Sequence, residues 1–244
     1  MNSYGPETYG DRIASVYDSM YAATKDFDTS VALLAELAHG GRALELGIGT
    51  GRVALPLARL GVEVHGIDAS RQMVAELRSK RGGKGIDVTI GDFSRFSIRP
   101  RFDLVYVVFN TFFGLLTQDD QVACFASVAK HLKTSGVFLI EAFKPDLSRF
   151  RHGQSVSASN VDTDQVKLDV THHDAVAQTV TTSYVLISEA GVKLYPVRLR
   201  YAWPAELDLM AQLAGLRLVD RWGDWDRRDF TANSARHISV WSRS

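Results

Sequence analysis

The chain has 244 residues, enough for one large domain or for a domain carrying a substantial insertion. Hydrophobic residues make up 45% and charged residues 23%, as in ordinary globular enzymes, and no run of about eighteen apolar residues offers a membrane span. Lysine plus arginine equals aspartate plus glutamate at 28 each, and only the short Arg78 to Arg81 stretch is basic, which argues against a nucleic-acid partner. The single cysteine, Cys124, excludes an intramolecular disulfide; with a polar N-terminus that lacks a signal-peptide pattern, it points to the cytoplasm.

The first forty residues read as helical. Tyr9, Ile13, Val16, Tyr17, Met20 and Tyr21 recur at helical spacing, and Thr29 or Ser30 is expected to cap a second helix that His39-Gly40-Gly41 stops. Strand and helix then alternate: strand 42–46, helix 50–60, strand 62–67, helix 70–80, strands 86–90 and 102–109, helix 118–132 and strand 136–143. Such alternation predicts an α/β fold, a doubly wound and mostly parallel sheet. The continuously apolar runs Leu104 to Phe109 and Val137 to Ile140 suit its centre.

From Phe150 the texture changes. Gln154 to Asp164 reads as an exposed crossing segment, and three alternating β-branched runs follow at 166–173, 179–188 and 192–201. They predict a small antiparallel sheet inserted after the fifth core strand. Pro204 opens a helix to Ala214, and two closing strands follow at 216–222 and 237–241. The expected division is an N-terminal cap (1–40), an α/β core (41–148), an inserted lid (149–203) and a closing helix and hairpin (204–244).

The densest motif is Leu44-Glu45-Leu46-Gly47-Ile48-Gly49-Thr50-Gly51-Arg52. Glycines at every second position bring bare backbone against a ligand. The dinucleotide fingerprint requires Gly-x-Gly-x-x-Gly, but Arg52 stands at its third position. Two acidic landmarks follow, Asp68 after the strand 62–67 and Gly91-Asp92-Phe93 after the strand 86–90.

These three landmarks, in this order, resemble the class I S-adenosylmethionine-dependent methyltransferases, whose first motif reads acidic-x-Gly-x-Gly-x-Gly. The resemblance implies a seven-stranded sheet, S-adenosylmethionine as cofactor and a small-molecule, natural-product or amino-sugar branch. It places the glycine loop of Gly47, Gly49 and Gly51 under the methionine part of the cofactor and Glu45, also a cofactor-binding candidate, at the end of the first strand. Asp68, with Ala69 beside it, falls at the ribose, and Asp92 and Phe93 at the adenine. Val16-Tyr17-Asp18 resembles a motif that folds over the cofactor, which makes Tyr17 a candidate for closure. Arg52 either pairs with the methionine carboxylate or is solvated. Asn110 follows the fourth strand where many amino-methyltransferases keep a polar residue near the donor, but the Asn-Pro-Pro-Tyr signature of base and glutamine methylation is absent.

Tyr21, Phe112 and Phe113 are candidates for the acceptor wall, the two phenylalanines equally readable as core. A base is needed only when the acceptor must lose a proton before or during attack. His172, His173 and Glu141 are the catalytic candidates, and at most one of the adjacent histidines can face a cleft from a strand. His237 reads as structural. No metal site is expected, because the histidines lack partners at ligand spacing. The expected activity is methyl transfer to nitrogen or oxygen of a small organic acceptor, in a homodimer paired through the lid sheet. The rivals are a rearrangement or cyclisation steered by the bound sulfonium, an NAD-dependent oxidoreductase and a non-catalytic regulatory module.

Overall fold

The computed structural model describes residues 4–21 and 26–244; the helical reading across 22–25 lies outside them. Two N-terminal helices, α1 (Thr8–Met20) and α2 (Phe27–Ala38), precede the core. The core elements are β1 (Arg42–Leu46), α3 (Ala54–Arg59), β2 (Glu63–Asp68), α4 (Arg71–Ser79), β3 (Asp87–Ile90), β4 (Phe102–Val107), α5 (Gln118–His131) and β5 (Leu132–Phe143). The lid strands β6 (Gln154–Val161), β7 (Gln165–Asp174), β8 (Thr179–Ser188) and β9 (Gly191–Arg200) follow. The chain closes with α6 (Pro204–Leu213), β10 (Leu216–Trp222) and β11 (Arg236–Arg243).

The main sheet has the order β10-β11-β5-β4-β1-β2-β3, parallel except where β11 pairs antiparallel with β5 and β10. Apolar side chains pack on both of its faces. One cluster joins Val105, Val107, Phe125, Phe138 and Trp241; the other joins Leu34, Ala43, Leu57, Leu104 and Leu139. Each central strand is thus buried on both sides, which explains its unbroken apolar run.

Several boundaries differ from the sequence reading, for local reasons. The helix expected from residue 50 begins only at Ala54, because Gly51 adopts φ +73° and the chain turns tightly there, with its N–H bonded to Ile48 O at 3.0 Å. Arg52 therefore lies in the loop and does not open a helix. The second helix starts at Phe27 rather than after Thr29, and the Ser30 hydroxyl bonds back to Phe27 O instead of capping. The segment 154–161, read as an exposed crossing, is the strand β6, so the lid sheet has four strands in the order β6-β7-β8-β9.

Partners in the lid register share a face. Tyr184, Leu186 and Tyr195 point inward onto Ile13 of α1 and Met73 of α4. On the other face lie Val156, Val170, Ile187, Val192 and Leu194, all exposed.

Candidate active site

The parallel strands β1, β2, β3 and β4 end on one side of the sheet, where α/β folds bind ligands. A cavity of about 460 Å³ opens there, roofed by α1 and the inner face of the lid. Such a volume is in the usual range for small-molecule sites, roughly 300–1,000 Å³.

The glycine loop forms its floor. Gly47 and Gly49 line it with φ +73° and +54°. A Cβ on Gly47 would fall 2.4 Å from Thr111 Cγ2, whereas one on Gly49 would project into nearly open space, with only Gly47 O at 4.0 Å. Gly51 serves another purpose. Its Cβ would meet Leu77 Cδ1 at 2.2 Å, so this glycine lets α4 pack against the loop and does not line the cavity.

Asp68, the last residue of β2, holds the loop in place. Its Oδ2 accepts from Gly49 N at 2.7 Å and its Oδ1 from Ser70 N at 2.8 Å. Burial pushes its carboxyl up, against the pull of those two amides. Ala69, Asp92, Phe93 and Asn110 complete this side of the cavity. Arg52 reaches the wall with its guanidinium over two rings, 5.3 Å from the Phe27 centroid and 4.7 Å from that of Phe109.

Glu45 lies beneath the loop rather than in the cavity. It is 4% exposed and accepts from Tyr106 Oη at 2.9 Å, and burial pushes its carboxyl up to about 8.

Helix α1 is tied down at two points. Asp11 accepts from Ser70 Oγ at 2.6 Å. Asp18 accepts from Thr50 Oγ1 at 2.7 Å and pairs with Lys80 at 2.5 Å. The Tyr17-Asp18 motif thus joins the helix to the glycine loop, and Tyr17 lines the cavity.

The side away from the strand ends is aromatic and apolar. Tyr9 and Tyr21 share a hydroxyl contact of 2.9 Å, Tyr17 and Tyr21 rings lie 4.9 Å apart, and Tyr184 faces them from the lid. Burial pushes the hydroxyls of Tyr9, Tyr17 and Tyr184 upward. Sequence reasoning had Tyr9 only as a helix-packing residue and passed over Tyr184 within a β-branched run. Nothing local marks Tyr184, because only the lid docking onto α1 brings it to the cavity.

The three catalytic candidates lie elsewhere. His172 is exposed on the outer lid face, paired in register with Thr181. His173 faces inward but is consumed: its ring stacks on Phe150 at 4.5 Å and its Nε2 contacts Tyr201 Oη at 3.0 Å. Glu141 is buried and accepts from Phe109 N at 2.5 Å. None of the three lines the cavity. Phe112 and Phe113, both wholly buried, pack in the core with Phe125 and Phe143 and form no part of the wall. His172→Ala should accordingly leave kcat and KM within about twofold, in line with other surface substitutions. A steady-state assay over pH 6–9 checks this.

A family model described as a methyltransferase domain matches residues 43–136, which carry the glycine loop, Asp68 and Asp92. The CcbJ methyltransferase from Streptomyces caelestis is 39% identical, with a TM-score of 0.93, over 99% of this chain and 100% of that one. The chain belongs to the class I S-adenosylmethionine-dependent methyltransferases. The cypemycin N-terminal methyltransferase of a Streptomyces species is 27% identical over 205 residues, 84% of each protein. The amino pentose methyltransferase CalS10 from Micromonospora echinaspora shares the fold, with 20% identity and a TM-score of 0.74 over 100% of this chain and 99% of that one.

The cofactor of this methyltransferase is S-adenosylmethionine. The cavity suits it chemically: glycine backbone that leaves room where a Cβ would project, a buried carboxylate with lone pairs to spare at the end of β2, and a guanidinium at the far wall. No helix of the described residues is long and apolar enough to cross a membrane.

Proposed function

We propose that this methyltransferase methylates an amine nitrogen of a small natural-product acceptor, by positioning alone and without a base from the protein. The carrying observation is the make-up of the cavity wall. Among the described residues, no histidine, lysine, cysteine or glutamate lines it. Of the wall carboxylates, Asp68 holds the Gly49 and Ser70 amides, Asp92 holds the Ser94 amide, and Asp120 is held below the usual carboxylate range by the Thr117 hydroxyl and Arg95. Tyrosines with raised pKa values stay neutral, so they orient an acceptor but take up no proton.

A neutral amine suits such a wall, because its lone pair is free before attack and the departing proton can go to water afterwards. An alcohol or phenol needs proton removal during attack. Two relatives carry nitrogen or amino acceptors in their names, the cypemycin N-terminal and amino pentose enzymes, which supports the same choice here.

In this reading Asp68 binds the ribose hydroxyls, Asp92 and Phe93 the adenine, Gly47 and Gly49 the methionine chain, and Arg52 its carboxylate. When bound, the cofactor supplies a methyl carbon made electrophilic by its sulfonium. Tyr17 closes over it from α1, and Tyr9, Tyr21, Tyr184, Val197 and Leu199 hold the acceptor and exclude water. Proximity and alignment then supply the rate. Acceptors that differ only in carrying an amine or a hydroxyl test this by product mass. Methylation of the amine alone supports the reading, and methylation of the hydroxyl alone overturns it.

The outer lid face presents Val156, Val161, Val170, Ile187, Val192 and Leu194 to solvent. Exposed aliphatic side chains gathered on one sheet face suit an interface, and the same face of a second copy can meet them across a two-fold axis. The reading is a homodimer through this face. Leu194→Asp should convert a dimer into a monomer in sedimentation velocity; a wild-type monomer at micromolar concentration contradicts it.

A further inference from the structure

Phe109 and Asn110, directly after β4, both hold left-handed backbone, with φ 56° and 63°. Asparagine tolerates this region, but a bulky aromatic there is an outlier that the surroundings must impose. Two bonds impose it. Phe109 N donates to Glu141 Oε2 at 2.5 Å, and Phe143 N donates to Asn110 Oδ1 at 2.7 Å. The register aligns Val107 with Ile140, so the chain leaves the sheet beside Glu141, and a side chain of that length meets the turning amide.

The consequence reaches the cavity. The turn sets the Phe109 ring 4.7 Å from the Arg52 guanidinium, and Phe109, Asn110 and Arg52 all line the wall. Glu141 itself touches none of that space. Its other neighbour is Arg236 of β11, 3.8 Å away, which also pairs with Asp26 ahead of α2 at 2.6 Å and with Asp224 after β10 at 3.5 Å. Arg236 therefore keeps two carboxylates if Glu141 is replaced.

We propose that Glu141 is a positioning residue. It fixes the Phe109-Asn110 turn in its left-handed form and so sets the aromatic support on which Arg52 meets the cofactor. The inference rests on the cofactor placement given above, with the methionine end at Arg52.

The test is S-adenosylhomocysteine affinity by calorimetry for wild type, E141Q, E141D, E141L and D68A, with a thermal midpoint for each. E141L keeps the bulk but strands a buried amide, and E141D keeps the charge but is one methylene too short. Both should bind at least about tenfold more weakly. E141Q retains an oxygen for Phe109 N and should recover the affinity to within about threefold. If E141L fails to fold, the contrast between E141D and E141Q decides alone. Weakened D68A beside wild-type affinity in E141D overturns the role of Glu141, as does an E141Q as weak as E141D. Wild-type affinity in D68A instead overturns the cofactor placement. The turnover of E141Q separates positioning from proton transfer: positioning predicts kcat within about threefold of wild type, and a loss of a hundredfold or more would make Glu141 the base, since general-base catalysis is worth at least that.

Discussion

Replacing Asp68 with alanine should weaken S-adenosylmethionine binding between about tenfold and a hundredfold. A hydrogen bond to a charged acceptor contributes about 1.5–3 kcal/mol, and this carboxylate is built to make several. Its Oδ2 holds the Gly49 amide and its Oδ1 the Ser70 amide, at the start of α4. On the proposed cofactor placement, alanine removes the ribose partner, and it also releases the middle of the glycine loop from β2. The effect should therefore exceed that of losing a single ligand contact. Asp68→Asn, which keeps an oxygen for one amide, should fall between the two. Calorimetry with S-adenosylhomocysteine measures both, and an unchanged affinity in the alanine variant would move the ribose site elsewhere.

Glu45 should make the folded state less stable as the pH rises. Burial lifts its carboxyl from the ordinary 4.5 to about 8, opposed by the Tyr106 hydroxyl and the Ala54 amide. Between those two values the folded chain keeps a proton that the unfolded chain has released, so stability declines as pH rises through that window. This is the reverse of the usual salt-bridged carboxylate. The full loss is on the order of 5 kcal/mol, complete above pH 8. Glu45→Gln has no proton to lose, so its stability relative to wild type should grow steadily from pH 5 to pH 8. Urea unfolding at several pH values reads this directly, and a constant difference between the two proteins contradicts it. His237 acts on the acid side: burial pulls it down to about 3, so its contribution is present above pH 6.5 and lost as the pH falls.

The main sheet was legible because two-sided burial leaves central strands without polar positions, as in Leu104 to Val108 and Val137 to Ile140. The strand-end side of the cavity was legible for a related reason. Gly47, Gly49, Asp68, Asp92 and Phe93 come from the strand ends themselves, so their order along the chain maps onto one edge of the sheet.

Other features depended on tertiary contact. Strand β6 escaped notice because its inward residues Ser155 and Ser157 are small and polar and its register shifts between Ala158 and Asn160, which breaks the alternation. Gly51 matched the glycine motif, yet it answers to Leu77 of α4. Phe112 and Phe113 follow β4 as wall residues would, but the left-handed turn at Phe109-Asn110 sends them into the core. The histidine pair drew attention as chemistry, whereas pairing in the lid fixes one outside and locks the other between Phe150 and Tyr201. The aromatic side of the cavity was the least legible part, since Tyr9 and Tyr184 are 175 residues apart and meet only through the packing of the lid sheet on α1.

The absence of a protein base is tested most directly by the pH profile of kcat/KM for two amine acceptors whose own pKa values differ by a unit or more. Positioning of a neutral amine predicts one ionisation in each profile, at a pH that moves with the acceptor. An inflection fixed at the same pH for both acceptors would belong to the protein and would contradict this account.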